Sequence, residues 1–155
     1  MFNQDNDQTF PNQTRDSPSL DTKSKIKRLN NGDIYIAEKK KQPCGQEISQ
    51  CLKISKKGYK YEGQCVNEIY HGIGRLINEE NGEEYYGEFN KGKRSGLGCW
   101  NDYKNGLKYL GYFVDDIRSG YGTWSTNKGD RLIQCEFING VAMNFGILID
   151  KSEKY

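Results

Sequence analysis

The stretch Tyr85-Tyr86-Gly87-Glu88-Phe89-Asn90-Lys91-Gly92-Lys93-Arg94-Ser95-Gly96-Leu97-Gly98 decides the fold. Over its first five residues large side chains alternate with others at period two, which places Tyr85, Gly87 and Phe89 on one face of a strand. Residues 90–95 are polar and turn-like. Gly96-Leu97-Gly98-Cys99-Trp100 reads as a second strand, with Gly96, Gly98 and Trp100 on one face, and residues 101–106 end on an Asn-Gly turn signal. The unit is a β-hairpin.

The same unit recurs with a period of 24. Gly63, Gly87 and Gly111 follow that step and reach Cys135. Gly72, Gly96 and Gly120 reach Asn144, and Gly74, Gly98, Gly122 and Gly146 follow it without a break, as do Gly58, Gly82 and Gly106. Three apolar columns keep the register: Tyr61, Tyr85, Tyr109 and Ile133; Cys65, Phe89, Phe113 and Phe137; Leu76, Trp100, Trp124 and Leu148. A weaker copy precedes them, residues 31–38 matching 81–88. The expected organisation is a flexible polar N-terminal tail over 1–25, a basic degenerate first repeat over 26–57 that caps the stack, and four repeats over 58–155. Successive hairpins pair into one antiparallel sheet of ten strands. Glycine inside a strand costs stability. Its recurrence on the aromatic face therefore predicts rings lying flat on bare backbone, with Trp100, Trp124, Phe89 and Phe113 packed against glycines of adjacent strands.

Composition agrees. Of 155 residues, 18 are glycine and 11 tyrosine, while only 34% are hydrophobic, which disfavours a helix bundle. No run approaches the ~20 apolar residues of a membrane span. Met1-Phe2-Asn3-Gln4-Asp5 lacks the basic start and apolar run of a signal peptide. The five cysteines, Cys44, Cys51, Cys65, Cys99 and Cys135, are odd in number and form no C-x-x-C pair, so they read as reduced thiols of a cytosolic protein. The net charge of +2 is uneven: residues 1–22 carry −3, residues 23–60 carry +8 and residues 61–155 carry −3. The basic segment, with Lys39, Lys40, Lys41, Lys56 and Lys57, is the candidate for an anionic surface, either acidic protein tails or anionic lipid.

The quoted stretch closely resembles the MORN repeat, which reads roughly Y-x-G-x-W/F-x-x-G-K-x-x-G-x-G. Tyr61-Glu62-Gly63 with His71-Gly72-Ile73-Gly74 is a second good copy, and Tyr109-Leu110-Gly111-Tyr112-Phe113 with Gly120-Tyr121-Gly122 a third. The span from Ile133 to Gly146 is a worn fourth, with Cys135 and Asn144 where glycines belong. The resemblance covers about residues 58–150 and, weakly, 32–57. It implies an all-β fold: an elongated single-layer antiparallel sheet of stacked hairpins, used in protein assembly. MORN arrays occur in radial spoke heads of cilia and other cytoskeletal complexes, in junctional membrane proteins and beside phosphoinositide kinase domains. No kinase domain fits beside an array that fills this chain.

Chemistry-bearing patterns are sparse. Gly72-Ile73-Gly74 and its equivalents lack the third glycine of a dinucleotide fingerprint. His71 stands at a repeat position that Ser95 and Ser119 take in the next copies, and reads as a turn residue. Glu79, Glu80, Glu83 and Glu84 surround a hairpin turn, where carboxylates are solvated rather than paired for acid–base work. Basic residues interleave with Tyr35, Tyr59 and Tyr61, but these tyrosines belong to repeat columns, which argues against nucleic acid. No cofactor, metal or small-molecule substrate is expected. The expected function is a non-enzymatic scaffold subunit of a cytoskeletal complex in the cytoplasm, of the axonemal radial-spoke kind. The alternative is a peripheral phosphoinositide or membrane adaptor. The expected partner-binding face is Tyr61, Tyr85, Phe89, Trp100, Tyr109, Phe113, Trp124 and Phe137, seated on the structural glycines Gly63, Gly72, Gly74, Gly87, Gly96, Gly98, Gly111, Gly120, Gly122 and Gly146.

Overall fold

Two-residue hairpin turns set the architecture. In the computed structural model Asn67-Glu68, Lys91-Gly92, Asp115-Asp116 and Asn139-Gly140 each have φ between 49° and 86° at both positions. That is the type I′ geometry whose twist matches the flanking strands. The structure describes residues 24–41, 47–126 and 131–150; for 39–41, 131, 132 and 144–150 only the backbone is described. The strands are β1 (Lys25–Arg28), β2 (Ile34–Lys41), β3 (Glu47–Ile54), β4 (Tyr59–Val66), β5 (Ile69–Asn78), β6 (Glu83–Asn90), β7 (Lys93–Asp102), β8 (Leu107–Val114), β9 (Ile117–Thr126), β10 (Arg131–Ile138) and β11 (Val141–Asp150). They pair in chain order as one open antiparallel sheet of eleven strands. From β4 onward each hairpin starts 24 residues after the last, at Tyr59, Glu83, Leu107 and Arg131.

The eleventh strand beyond the expected ten is β1, which pairs with β2 through backbone alone while its four side chains stay exposed. The turn expected over 90–95 shortens to Lys91-Gly92, with residues 93–95 continuing as strand. Beyond them a bulge opens in β7: Gly87 faces Gly98 but Phe89 faces Arg94, leaving two more residues on β7 than on β6. Gly72, Gly96 and Gly120 sit in these bulges with φ of 60–64°, where a β-carbon is strained. Glu88 caps the bulge, its carboxylate accepting from the Leu97 N–H at 3.2 Å, as the Gln64 amide oxygen does for Ile73 at 3.1 Å. His71, Ser95 and Ser119 therefore lie within strands beside bulges, not at turns.

The core is a ladder of rings on one face. Tyr61, Phe89, Tyr85, Phe113, Tyr109 and Phe137 follow one another edge to face, with centroids 5.1–5.4 Å apart and planes inclined by 85–90°. Each contact adds about 0.5–1.5 kcal/mol beyond burial. The glycines carry the tyrosines, not the Trp or Phe rings expected there. Gly63 faces Gly74, Gly87 faces Gly98 and Gly111 faces Gly122. A β-carbon on Gly74, Gly98 or Gly122 would stand 2.3–2.6 Å from the Tyr61, Tyr85 or Tyr109 ring. Each ring is thereby aimed at the bulge, and its hydroxyl donates to the carbonyl three residues on: Tyr61 to Gln64 at 2.6 Å, Tyr85 to Glu88 at 3.0 Å, Tyr109 to Tyr112 at 3.3 Å.

Where the columns fail, other groups fill the space. Cys65 occupies a Phe position and is bonded to Cys51, so the expectation of reduced thiols is corrected for this pair. The β3–β4 register explains it: Cys51 faces Gly63 and Ser49 faces Cys65, which puts both cysteines on the ladder face with Cα atoms 6.1 Å apart. Tyr70 fills the rest, stacked on Tyr61 at 3.8 Å. Cys99 and Cys135 are free thiols, and Cys44 lies outside the described residues.

Two predictions follow from this packing. Gly98→Ala is expected to destabilise by about 2 kcal/mol or more through overpacking of a ring that is wedged and hydrogen-bonded. Combining it with Tyr85→Ile should recover part of that loss, giving a favourable coupling in a urea-unfolding double-mutant cycle; strictly additive losses contradict the ring-on-glycine account. Cys51→Ser should cost about 3 kcal/mol, the denatured-chain entropy of a loop of ~15 residues, and dithiothreitol should lower the wild-type melting temperature to that of the variant.

Candidate partner-binding surface

Six of the eight rings expected to meet a partner are taken up by the chain itself. Tyr61 and Tyr109 are 0% exposed, and Tyr85, Phe89, Phe113 and Phe137 are buried in the same cluster. This corrects the expectation of an open aromatic face: neighbouring hairpins bring the rings of one within edge contact of the next, so a single layer covers its own ladder. Burial raises the Tyr61 and Tyr109 hydroxyls above their ordinary range and pushes Tyr85 up to about 12.

Trp100 and Trp124 remain half-buried along one margin of the ladder, edge to face at 5.8 Å. Over them lies Arg118, a residue the pattern reading passed over. Its guanidinium carbon is 4.7 Å from the Trp124 ring centre, 5.1 Å from Trp100 and 5.2 Å from Tyr109. Its Nε is buried with no hydrogen-bond partner among the described residues. Burial and then the nearby Arg94 charge lower its pKa, while the field of Glu83 acts the other way. The preceding repeat shows what Arg118 lacks. Arg94 lies over Phe113 and Tyr85 in the same manner, at 5.3 and 5.7 Å, but its Nε donates to the Asp116 carboxylate at 2.9 Å and its Nη2 to the Asp116 carbonyl at 3.1 Å. One period beyond Asp116 the tip residue is Gly140, which brings no carboxylate to Arg118. The signal was present in the sequence, since Tyr70, Arg94, Arg118 and Ala142 form a column of the same period.

The structural glycines divide by role. Gly63, Gly74, Gly87, Gly98, Gly111 and Gly122 seat tyrosines, and Gly72, Gly96 and Gly120 form bulges. Gly146 lies in β11 beyond the residues whose surroundings are described. Lys56 and Lys57 are exposed on the β3–β4 loop, where the Lys56 N–H donates to Asp33 at 3.3 Å. Lys39, Lys40 and Lys41 lie on β2 opposite Ser49, Ile48 and Glu47, and their side chains fall outside the description, as does the whole of the tail over 1–23. Glu84, read as solvated, is instead held ionised by Arg75, whose Nε donates to it at 2.6 Å, with the Tyr103 hydroxyl adding a bond at 2.7 Å. Among the described residues no group of three or more His, Cys, Asp or Glu is placed to hold a metal, and no helix is long and apolar enough to cross a membrane.

The opposite face carries apolar residues that the columns did not single out. Register places Tyr86 opposite Cys99, Cys99 opposite Leu110, and Leu97 opposite Tyr112, all pointing away from the ladder. Tyr86 is 56% and Tyr121 74% exposed. Comparison with protein-family models gives no match for this chain, and comparison with curated proteins gives none.

The ladder tyrosines make alkaline stability a test of their burial. An unfolded tyrosine ionises near ~10, whereas folded Tyr85 holds its proton to about 12. Its contribution is thus fully present below the unfolded value and is lost as pH rises through the folded one. Absorbance at 295 nm, recorded beside near-ultraviolet circular dichroism, should show the ladder tyrosines ionising only as tertiary structure is lost. Their ionisation with dichroism intact contradicts the buried ladder.

Proposed function

We propose that this chain is a non-enzymatic interaction scaffold of the MORN-repeat type, a rigid sheet that arranges other protein subunits. The observation that carries this reading is Arg118, which lies over Trp100 and Trp124 on the margin of the ladder face with its Nε unpartnered among the described residues. Arg118 is half-buried, and a buried Nε–H left without an acceptor is costly. An extended partner segment laid along this margin sets a carboxylate on Arg118 and an apolar side chain against the two indoles. The placement in a cytoskeletal, ciliary axonemal complex of the radial-spoke kind comes from the family resemblance. A cytoplasmic site also requires that Cys51 and Cys65 be reduced in the cell and close on isolation, because reducing compartments rarely sustain a disulfide. Alkylation before lysis reads this directly.

The test is fractionation of ciliated cells carrying the tagged full chain, beside co-sedimentation of the purified chain with phosphatidylserine and phosphoinositide vesicles. The wild type is expected in the axonemal fraction. Arg118→Met and Arg118→Leu are expected in the soluble fraction, with unfolding free energies within about 1 kcal/mol of wild type, since either substitution removes an unpaired charge and only cation–π contacts. Retention of both variants in the axoneme overturns the Arg118 site. Salt-sensitive vesicle binding that is lost on neutralising Lys39, Lys40 and Lys41, with no axonemal fraction, replaces the scaffold with a membrane adaptor.

A further inference from the structure

We infer that the face opposite the ladder is where two copies of this chain associate, sheet against sheet, independently of the Arg118 margin. Ile73, Tyr86, Leu97, Leu110, Tyr112 and Tyr121 are all exposed large apolar residues. On that face Tyr86 faces Cys99, which faces Leu110, and Leu97 faces Tyr112 one row away; Tyr121 lines a hollow with Leu97 and Leu110, and Ile73 lies across from Glu88 on the strand that carries Tyr86. Strand alternation turns them outward, since Tyr85, Gly98, Tyr109 and Gly111 beside them point into the ladder. Toward the hairpin tips the patch continues through the outward Val114–Ile117 pair and Ile138, each about half exposed.

The size of this patch identifies its occupant. With full tyrosine areas of about 150–250 Å² and the exposures found here, the six residues expose on the order of 700 Å², polar atoms included, and the tip residues bring the total to roughly 1,000 Å². One side of a standard stable interface is about 800 Å² in total, so this face is large enough to form one. A single helix laid on a twisted sheet covers one or two rows. A second sheet of the same twist covers the patch along its length, at the ordinary ~10 Å spacing of packed sheets. Charge permits self-pairing. Lys60, Arg75 and Lys108 are interspersed with Glu62, Glu84, Glu88 and Glu136 on this face, so a copy turned by a two-fold axis meets no single-sign field. A hollow lined by Leu97, Leu110, Tyr121 and Thr123 opens beside the protruding rings, giving the face both a knob and a recess, as an isologous contact requires. Cys99 lies between Tyr86 and Leu110 near the middle of the patch, so a two-fold axis through the centre of the patch brings the two copies of this free thiol together.

Sedimentation equilibrium of the purified full chain, from about 1 to 100 µM, tests this. The expected species is the dimer at twice the chain mass. Tyr86→Ser with Leu110→Ser is expected to weaken it roughly 100-fold or more, with the melting transition of dilute protein unchanged because neither side chain joins the ladder. Tyr121→Lys serves as a second disruption that removes no core contact. In a Cys44→Ser background a short bis-maleimide should join the two copies, and adding Cys99→Ser should abolish the product. A monomer at 100 µM overturns the inference, as does a dimer indifferent to all three substitutions. A monomer whose outer face is protected only by a different protein does so as well. Arg118→Met should leave the dimer intact, so loss of the partner margin and loss of self-association read separately.

Discussion

A tyrosine ring laid across two facing glycines is the contact on which this molecule depends. The pair Gly87 and Gly98 removes both β-carbons at one place in the sheet, and the Tyr85 ring descends onto the backbone there. Its hydroxyl then reaches the Glu88 carbonyl, which the bulge has turned out of the ladder of strand hydrogen bonds. One residue therefore fills a hole, satisfies an orphaned acceptor worth about 1 kcal/mol and presents its ring edge to Phe89 and Phe113. Without the bulge the carbonyl is unavailable, and without the glycines the ring has no seat. The three features recur together because each is useless alone.

That coupling explains how the array tolerates its own defects. In the last repeat Ile133 replaces the tyrosine, and Cys135 takes the glycine place, buried against Gly122 with its thiol 3.9 Å from that carbonyl. In the first repeat Ala37 and Cys51 face each other where glycines face elsewhere. Where the Phe column fails at Cys65, the disulfide and the stacked Tyr70 ring occupy the volume. Loss of a ring at one end relaxes the demand for bare backbone, so terminal units drift in composition while the strand pairing persists. A stack that contacts only its nearest neighbours allows this.

The period and the strand alternation were legible because every unit must present the same residue to the same neighbour. The strands accordingly fall where the columns place them. Which ring meets which glycine was not legible. The bulge inserts two residues into β7 relative to β6, and counting alternate positions along one strand cannot register an offset between two. The pairing of Cys51 with Cys65 was hidden for a similar reason: fourteen residues apart in sequence, they meet only through the β3–β4 register. Strand β1 escaped notice because Lys25, Lys27 and Arg28 leave no apolar alternation, the guarded composition of an edge. The outer face escaped because its residues vary down the columns, Ile73, Leu97 and Tyr121 standing at equivalent positions. Bulk is kept there and identity is not, as suits a surface rather than a socket.

Departures from the repeat therefore fall into two kinds, and the difference bears on function. Ile133 with Cys135, and Cys65 with Tyr70, are departures answered from within the chain: a missing group is matched by one that takes its space. The step from Asp116 to Gly140 is not answered. Arg94 keeps its carboxylate, while Arg118, in the same place over the same kind of rings, has a glycine where that carboxylate belongs. The rings beneath Arg118 offset part of the cost of desolvating its guanidinium, but they supply no acceptor for its Nε, as the Asp116 carboxylate does for Arg94. This charge lies beside two half-buried indoles, Trp100 and Trp124, and the proposed docking of an acidic and apolar segment rests on that conjunction.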